Sequence, residues 1–169
     1  MPWGTTARTA ACIALVATTM AATTSSEPLP SQLAGTWRIM RVLPTKNTPC
    51  WSDEQARPLI GSTLTYRTNA MRWRGGQVPL EDINTRQVTD KEFRKENAGA
   101  DFEQLGIHAP MVLEVDLQHE DADITGASTE VPGDSILVVA PGRIVVSACG
   151  VYFEATRGGV QKATATNHR

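Results

Sequence analysis

The residues best suited to chemistry form an acidic cluster in the second half of the chain, where His119, Glu120, Asp121 and Asp123 follow Asp116. Such side chains bind metal ions, and calcium takes about six to eight oxygen ligands. The spacing lacks the central glycine and terminal glutamate of an EF-hand loop, and neighbouring carboxylates in a strand would face opposite sides of a sheet. We therefore interpret the cluster as a solvated acidic turn and predict neither a metal ion nor a cofactor.

The other reactive residues do not form a catalytic group. Ser147 and Cys149 could each act as a nucleophile, but the sequence contains no G-x-S-x-G turn to expose the serine. His108 precedes Ala109-Pro110, which favours a loop, and His168 is close to the end of the sequence. We therefore predict that this protein is not an enzyme.

An arginine-rich hairpin is the best candidate for contacting a partner. Arg67, Arg72 and Arg74 surround Trp73, and Thr68-Asn69-Ala70 favours a turn between two strands. Arginine and tryptophan are frequent at interface hot spots, and arginine can hold a carboxylate with two parallel hydrogen bonds. The simpler alternative is a strand with Trp73 inside and the arginines in water.

The first 26 residues have the composition of an export signal. Arg8 is their only charge, an apolar run of small residues covers 10–22, and Thr19-Met20-Ala21 fits a small-x-small cleavage site. The run is shorter than the roughly 20 residues of a transmembrane helix. We expect 1–26 to be a signal peptide, the protein to be periplasmic or secreted, and no transmembrane segment.

Two cysteines would remain after export, because Cys12 lies within the predicted signal peptide. Cys50 and Cys149 then form an even set in an oxidising compartment, which predicts a disulfide between them. The alternative is a pair of buried free thiols. The formal charge of −2 argues against nucleic-acid binding, which favours a basic surface.

The rest of the chain consists mainly of short segments in which apolar and polar residues alternate, as in strands with one buried face. Ser52 and Thr89 each begin a capping-box pattern, which predicts two short helices. We place the folded domain at 27–157 and expect 158–169 to be a disordered tail, because it is almost without apolar residues. Strands are predicted at 36–43, 63–67, 71–74, 113–117, 136–139, 144–146 and 151–157, with weaker patterns at 85–88 and 123–129.

These elements favour an all-β fold, a single antiparallel barrel of about eight strands, because closure removes exposed strand edges. Gly35-Thr36-Trp37 on the first strand and Arg157 at the end of the last resemble the lipocalin/calycin superfamily. The resemblance implies that Trp37 lies at the closed end of the barrel with Arg157 packed over it. Secreted members also carry a disulfide between the two ends of the domain.

A second resemblance is to a set of uncharacterised bacterial exported proteins. It rests on Leu59-Ile60-Gly61, Leu105-Gly106-Ile107 and Gly150-Val151-Tyr152-Phe153.

Two functions follow from a barrel of this size. The first is a binding protein for a small apolar or amphipathic molecule, since such barrels can enclose one ligand. The second is a protein-interaction module, such as an inhibitor of a secreted hydrolase, with a packed barrel and with binding through loops or through the face that carries Arg67, Arg72 and Arg74. In the first case the ligand would contact the interior side chains of Leu64, Tyr66, Trp73, Leu113, Val115 and Val138.

Overall fold

The computed structural model describes residues 27–119 and 132–158, which form one curled antiparallel sheet with short helices. The predicted all-β class is confirmed. The leader, the strand predicted at 123–129 and the tail from 159 onward lie outside the described residues. The strands are β1 (Gly35–Leu43), β2 (Thr63–Arg67), β3 (Ala70–Trp73), β4 (Gly76–Pro79), β5 (Asp82–Thr89), β6 (Met111–Gln118), β7 (Ser135–Ala140), β8 (Arg143–Ala148) and β9 (Val151–Arg157), and the helices are α1 (Asp53–Ala56), continued by a 3-10 turn at Arg57–Leu59, and α2 (Asp90–Glu96).

The first and last strands lie side by side at the centre of the sheet. The strand order is β4-β3-β2-β1-β9-β8-β7-β6-β5, with neighbours antiparallel throughout. Trp37 on β1 is paired with Arg157 on β9, and Leu43 is paired with Tyr152. The first and last described strands are therefore hydrogen-bonded neighbours, and their pairing brings Arg157 beside Trp37.

A two-residue link joins β4 and β5, the strands at the two edges of the sheet. Antiparallel pairing along the whole sheet makes β4 and β5 run in the same direction, and only Leu80 and Glu81 separate them. The N–H of Leu80 bonds the Asn69 carbonyl at 3.0 Å, whereas the N–H of Glu81 bonds the Gln118 carbonyl at 2.8 Å. One extended segment thus changes partner from the β2–β3 turn to β6, which ties the edges of the half-barrel together.

The concave side of the sheet holds the larger core. Period-two alternation sends one set of side chains inward, and every strand contributes at least one buried apolar residue. Trp37, Trp73, Tyr66 and Phe153 are the largest of them, and each is at most 2% exposed. Burial of such side chains contributes about 1.5 to 3 kcal/mol each.

A second, smaller core covers the convex side of the C-terminal strands. Phe93 of α2 packs against Phe102 and Tyr152, with ring centroids 5.6 and 5.8 Å away. Thr89 caps this helix as predicted, since its side chain accepts a bond from the Glu92 N–H. Both faces of this half of the sheet are therefore buried.

The second core also buries a carboxylate that the alternation of 113–117 places on the solvent face. Glu114 is 4% exposed, and Arg86 Nε donates to its Oε2 at 2.5 Å. Burial raises the pKa of the Glu114 carboxyl, although Arg86 acts in the opposite direction. Arg86 also bonds Glu96, so one guanidinium joins the helix to the sheet.

The two tyrosines of the chain should ionise only at unusually high pH while the protein is folded. Burial raises the pKa of Tyr152 to about 12 and that of Tyr66 well above 10, so the folded protein keeps both phenols protonated. The unfolded chain loses these protons near pH 10, and stability therefore falls as pH rises above about 10. Absorbance at the tyrosinate band should stay flat to about pH 11 in the native protein and rise near pH 10 in denaturant. A native transition near pH 10 in a chain that remains folded by circular dichroism would contradict this burial.

Candidate functional site

The side chains predicted to line a ligand cavity are packed against protein. Leu64 and Val115 are 0% exposed, Tyr66 and Trp73 are at most 2% exposed, and all four belong to the concave core. Val138 is also buried there, and Leu113 is partly buried against it. A ligand at these positions would have to displace core side chains.

The segment before β7 fills part of this interior. The hydroxyl of Tyr66 donates to the Gly133 carbonyl at 3.0 Å. A Cβ built on Gly133 would lie 2.5 Å from that hydroxyl oxygen and 3.1 Å from Leu64. The glycine is therefore required by close packing, because any side chain at 133 would push Tyr66 out of its place.

Trp37 and Arg157 close one end of the curled sheet. The Arg157 guanidinium carbon lies 4.6 Å from the centre of the Trp37 ring, the arrangement that the family resemblance implies. The indole Nε1 donates to the Leu33 carbonyl at 2.7 Å. Gly35 has φ +125°, and a Cβ there would lie 2.9 Å from Nη1 of Arg157. The glycine of the G-x-W motif thus makes room for the arginine.

The disulfide closes the opposite end of the central strand pair. Cys50 and Cys149 are bonded, with their Cα atoms 5.2 Å apart, as predicted. The Cys50 N–H also bonds the Cys149 carbonyl at 2.9 Å. Cys149 and Gly150 both have positive φ in the tight turn between β8 and β9. The bonded sulfur of Cys149 cannot act as a nucleophile.

The convex face of β1–β3 carries an unusual set of charges. Arg38, Arg67, Arg72 and Arg74 are all exposed there or in the adjoining β3–β4 turn. None of them forms an ion pair with any carboxylate of the described ranges 27–119 and 132–158. We call these four residues with Thr36, Thr63 and Thr65 the arginine–threonine face.

The strand register arranges this face in two rows. Thr36 is opposite Thr65, which is opposite Arg72, while Arg38 is opposite Thr63. Neighbouring strands are about 4.8 Å apart, so hydroxyl and guanidinium groups succeed one another at that spacing. The Thr36 and Thr65 hydroxyls are hydrogen-bonded at 3.0 Å.

A shallow polar cavity of about 210 Å³ lies within this face. Arg74 covers the indole of Trp73, with 5.3 Å between the guanidinium carbon and the ring centre. Trp73 is thus inward and buried, and the arginines around it are in water. The cavity can accept an anionic group, because its hydrogen-bonding side chains are hydroxyls and guanidinium groups. It is lined by Thr63, Thr65, Arg72, Trp73, Arg74 and Gly75.

Arginines elsewhere on the convex side have carboxylate partners. Glu154 on β9 accepts bonds from Arg41 at 3.1 Å and from Arg143 at 3.0 Å. These arginines hold the pKa of the Glu154 carboxyl below its usual value. The contrast distinguishes a strip on β8–β9–β1, where the arginines have a carboxylate partner, from the arginine–threonine face beside it.

The sequence patterns missed Arg38 as part of this face. Its place next to Trp37 on an alternating strand was sufficient to put it outside, but the pairing of β1 with β2 was needed to bring it beside Thr63. His108 is exposed in a loop. Of the acidic cluster, only Asp116 and His119 belong to the described residues, and His119 Nε2 lies 2.8 Å from Asp134.

The comparisons with known proteins add no family. No family model, curated protein or solved structure matches this chain. Within 27–119 and 132–158, no helix has the length and apolarity to cross a membrane, and no three ligating side chains converge on a metal position.

Proposed function

We propose that this chain is an exported protein-interaction module that binds the acidic surface of another protein through its arginine–threonine face. The observation that carries the proposal is the set of four exposed arginines without carboxylate partners among the described residues, on a chain of net charge −2. The Cys50–Cys149 disulfide supports export, since such bonds persist in oxidising compartments.

The chemistry of the face favours carboxylates. Four like charges on one side of a small sheet repel each other, and a partner's acidic groups would remove that repulsion. Each guanidinium can hold a carboxylate with two bonds, and the neighbouring hydroxyls of Thr63 and Thr65 can donate to the same group. Arginines at the rim of an interface act mainly on association rate and salt dependence.

The filled interior supports this function over a ligand inside the barrel. The side chains that would contact such a ligand are already packed in the concave core, among them Leu64, Tyr66 and Val115. The curled sheet then serves as a rigid support, which holds the arginines at fixed strand spacing. A lipocalin-like relationship is part of the proposal, supported by Trp37 stacked under Arg157.

The test replaces the four arginines with glutamine, Arg38→Gln, Arg67→Gln, Arg72→Gln and Arg74→Gln together. Binding to immobilised poly-L-glutamate, a model of an acidic protein surface, is measured between low and physiological salt. We expect the wild type to bind at low salt and the variant to lose at least about tenfold in affinity, since each charge-assisted bond contributes about 1.5 to 3 kcal/mol before screening. The matched control removes four exposed charges elsewhere, at Lys46, Arg57, Lys91 and Lys95.

Equal losses in the two variants would mean that net charge alone drives binding, and this would overturn the proposed face. Binding of heparin but not of poly-L-glutamate would replace the acidic protein with a sulfated polysaccharide. Both variants should keep the wild-type melting temperature within a few degrees, because exposed substitutions change stability by about 0.5 kcal/mol or less.

A further inference from the structure

We infer that the end of the sheet closed by Trp37 and Arg157 holds a second binding site, specific for a small amphipathic carboxylate such as a medium-chain fatty acid. A cavity of about 470 Å³ opens here. That volume is within the range of small-molecule sites, about 300 to 1,000 Å³. Its walls are mainly aliphatic or backbone, with one cation, and they are formed by Gln32, Val138, Val139, Ala140, Pro141, Gly142 and Arg157.

The end of β7 and the turn that follows it form the apolar wall. The side chain of Val138 lies in the concave core and that of Val139 packs against the second core, so the cavity borders the end of β7 where the two faces of the sheet meet. The pairing between β7 and β8 shifts in register between Val138 and Ala140. Such a bulge interrupts the ladder of hydrogen bonds, here at the strand end that borders the cavity. The Pro141-Gly142 turn, with Gly142 at φ +83°, completes this wall.

Arg157 provides the polar end of the cavity. Its Nη1 donates to the Ala34 carbonyl at 2.8 Å and its Nη2 to the Gln32 carbonyl at 2.5 Å. A guanidinium has five N–H donors, so further donors stay available to a bound oxygen pair. The Arg157 backbone N–H bonds the Gly142 carbonyl at 3.0 Å, which holds the arginine beside the turn.

These features together select the ligand class. The Trp37 ring beneath Arg157 and the two carbonyl bonds fix the guanidinium in place before any ligand arrives. A fixed cation at one end of an aliphatic cavity complements a carboxylate with an apolar tail. No carboxylate of the described residues forms an ion pair with Arg157, so the charge is available to a ligand. The site is separate from the arginine–threonine face, and neither proposal depends on the other.

The experiment measures binding of decanoate, and of decan-1-ol as its uncharged counterpart, to the full chain by isothermal titration calorimetry. We expect decanoate to bind and decanol to bind at least about tenfold more weakly, because it lacks the charge-assisted bonds to Arg157. Ala140→Phe places a ring in the cavity from an exposed position. Gln32→Glu supplies a competing carboxylate next to Arg157. Each should reduce decanoate affinity at least about tenfold.

The matched control is Gln118→Glu. It adds the same charge at an exposed position, at the end of β6 that lies away from the cavity. It should leave decanoate affinity unchanged. The inference is overturned if the wild type does not bind decanoate, if decanol binds equally well, or if Gln118→Glu and Gln32→Glu weaken binding alike. Ala140→Phe and Gln32→Glu lie outside the buried core, so a folded protein with lost binding assigns the loss to the cavity.

Discussion

Reduction of the Cys50–Cys149 disulfide should lower the free energy of unfolding by about 4 to 5 kcal/mol. The bridge joins residues 99 positions apart, and the chain-entropy model gives this magnitude for a loop of about 100 residues. Cys149 lies in the tight turn between β8 and β9 at a positive φ of 49°, which L residues seldom adopt. Urea unfolding with and without reductant measures the difference.

The double variant Cys50→Ser, Cys149→Ser should match the reduced wild type and should no longer respond to reductant. The Cys50 N–H bond to the Cys149 carbonyl involves only backbone atoms, so it remains available in the variant. A loss below about 1 kcal/mol in both measurements would mean that this bond and the Asn47 side-chain bond to Gly150 already hold the turn.

Trp37→Ala should destabilise the protein by about 3 to 5 kcal/mol, the range for large aromatic residues removed from a core. Trp37 is 0% exposed, it donates to the Leu33 carbonyl, and it supports Arg157. Its removal leaves a cavity, an unpaired carbonyl and an unstacked guanidinium together. Thermal and urea unfolding of the purified variant measure the effect.

Met40→Ala is the matched control, because Met40 is on the same strand but 48% exposed. We expect a change of about 0.5 kcal/mol or less there. Trp37→Phe separates the contributions, since it keeps a ring beneath Arg157 and removes the indole N–H. Equal stability of Trp37→Ala and Met40→Ala would contradict the central position assigned to Trp37.

Sequence patterns were sufficient to predict the elements that depend on residues close together in the chain. The capping boxes at Ser52 and Thr89 begin helices at Asp53 and Asp90, and the turn predicted at Thr68-Asn69-Ala70 joins β2 to β3. The alternation of Leu64 and Tyr66 correctly predicts the inward face of β2. The cysteine pair was predictable because parity and the expected oxidising compartment left one partner for each.

What the patterns missed depends on tertiary contacts. Gly76–Pro79 has too little alternation to predict β4, which exists because it pairs with β3. The alternation of apolar and polar residues around Glu114 predicts that its side chain faces solvent. In the structure, α2 and the turns that follow it cover this face of the sheet. The arginine–threonine face required knowledge of strand order, because Arg38 and Arg72 are distant in sequence and share a face only through β2.

The central place of β9 has a consequence for when this protein can fold. The last described strand to be synthesised separates β1 from β8, so neither can complete its pairing until residue 157 has been made. Contacts between such distant segments slow folding, because the chain must close a long loop before they form. The nascent chain therefore stays without its central β1–β9–β8 ladder until β9 has been made, whereas pairs such as β2–β3 and β5–β6 involve only strands that are synthesised earlier.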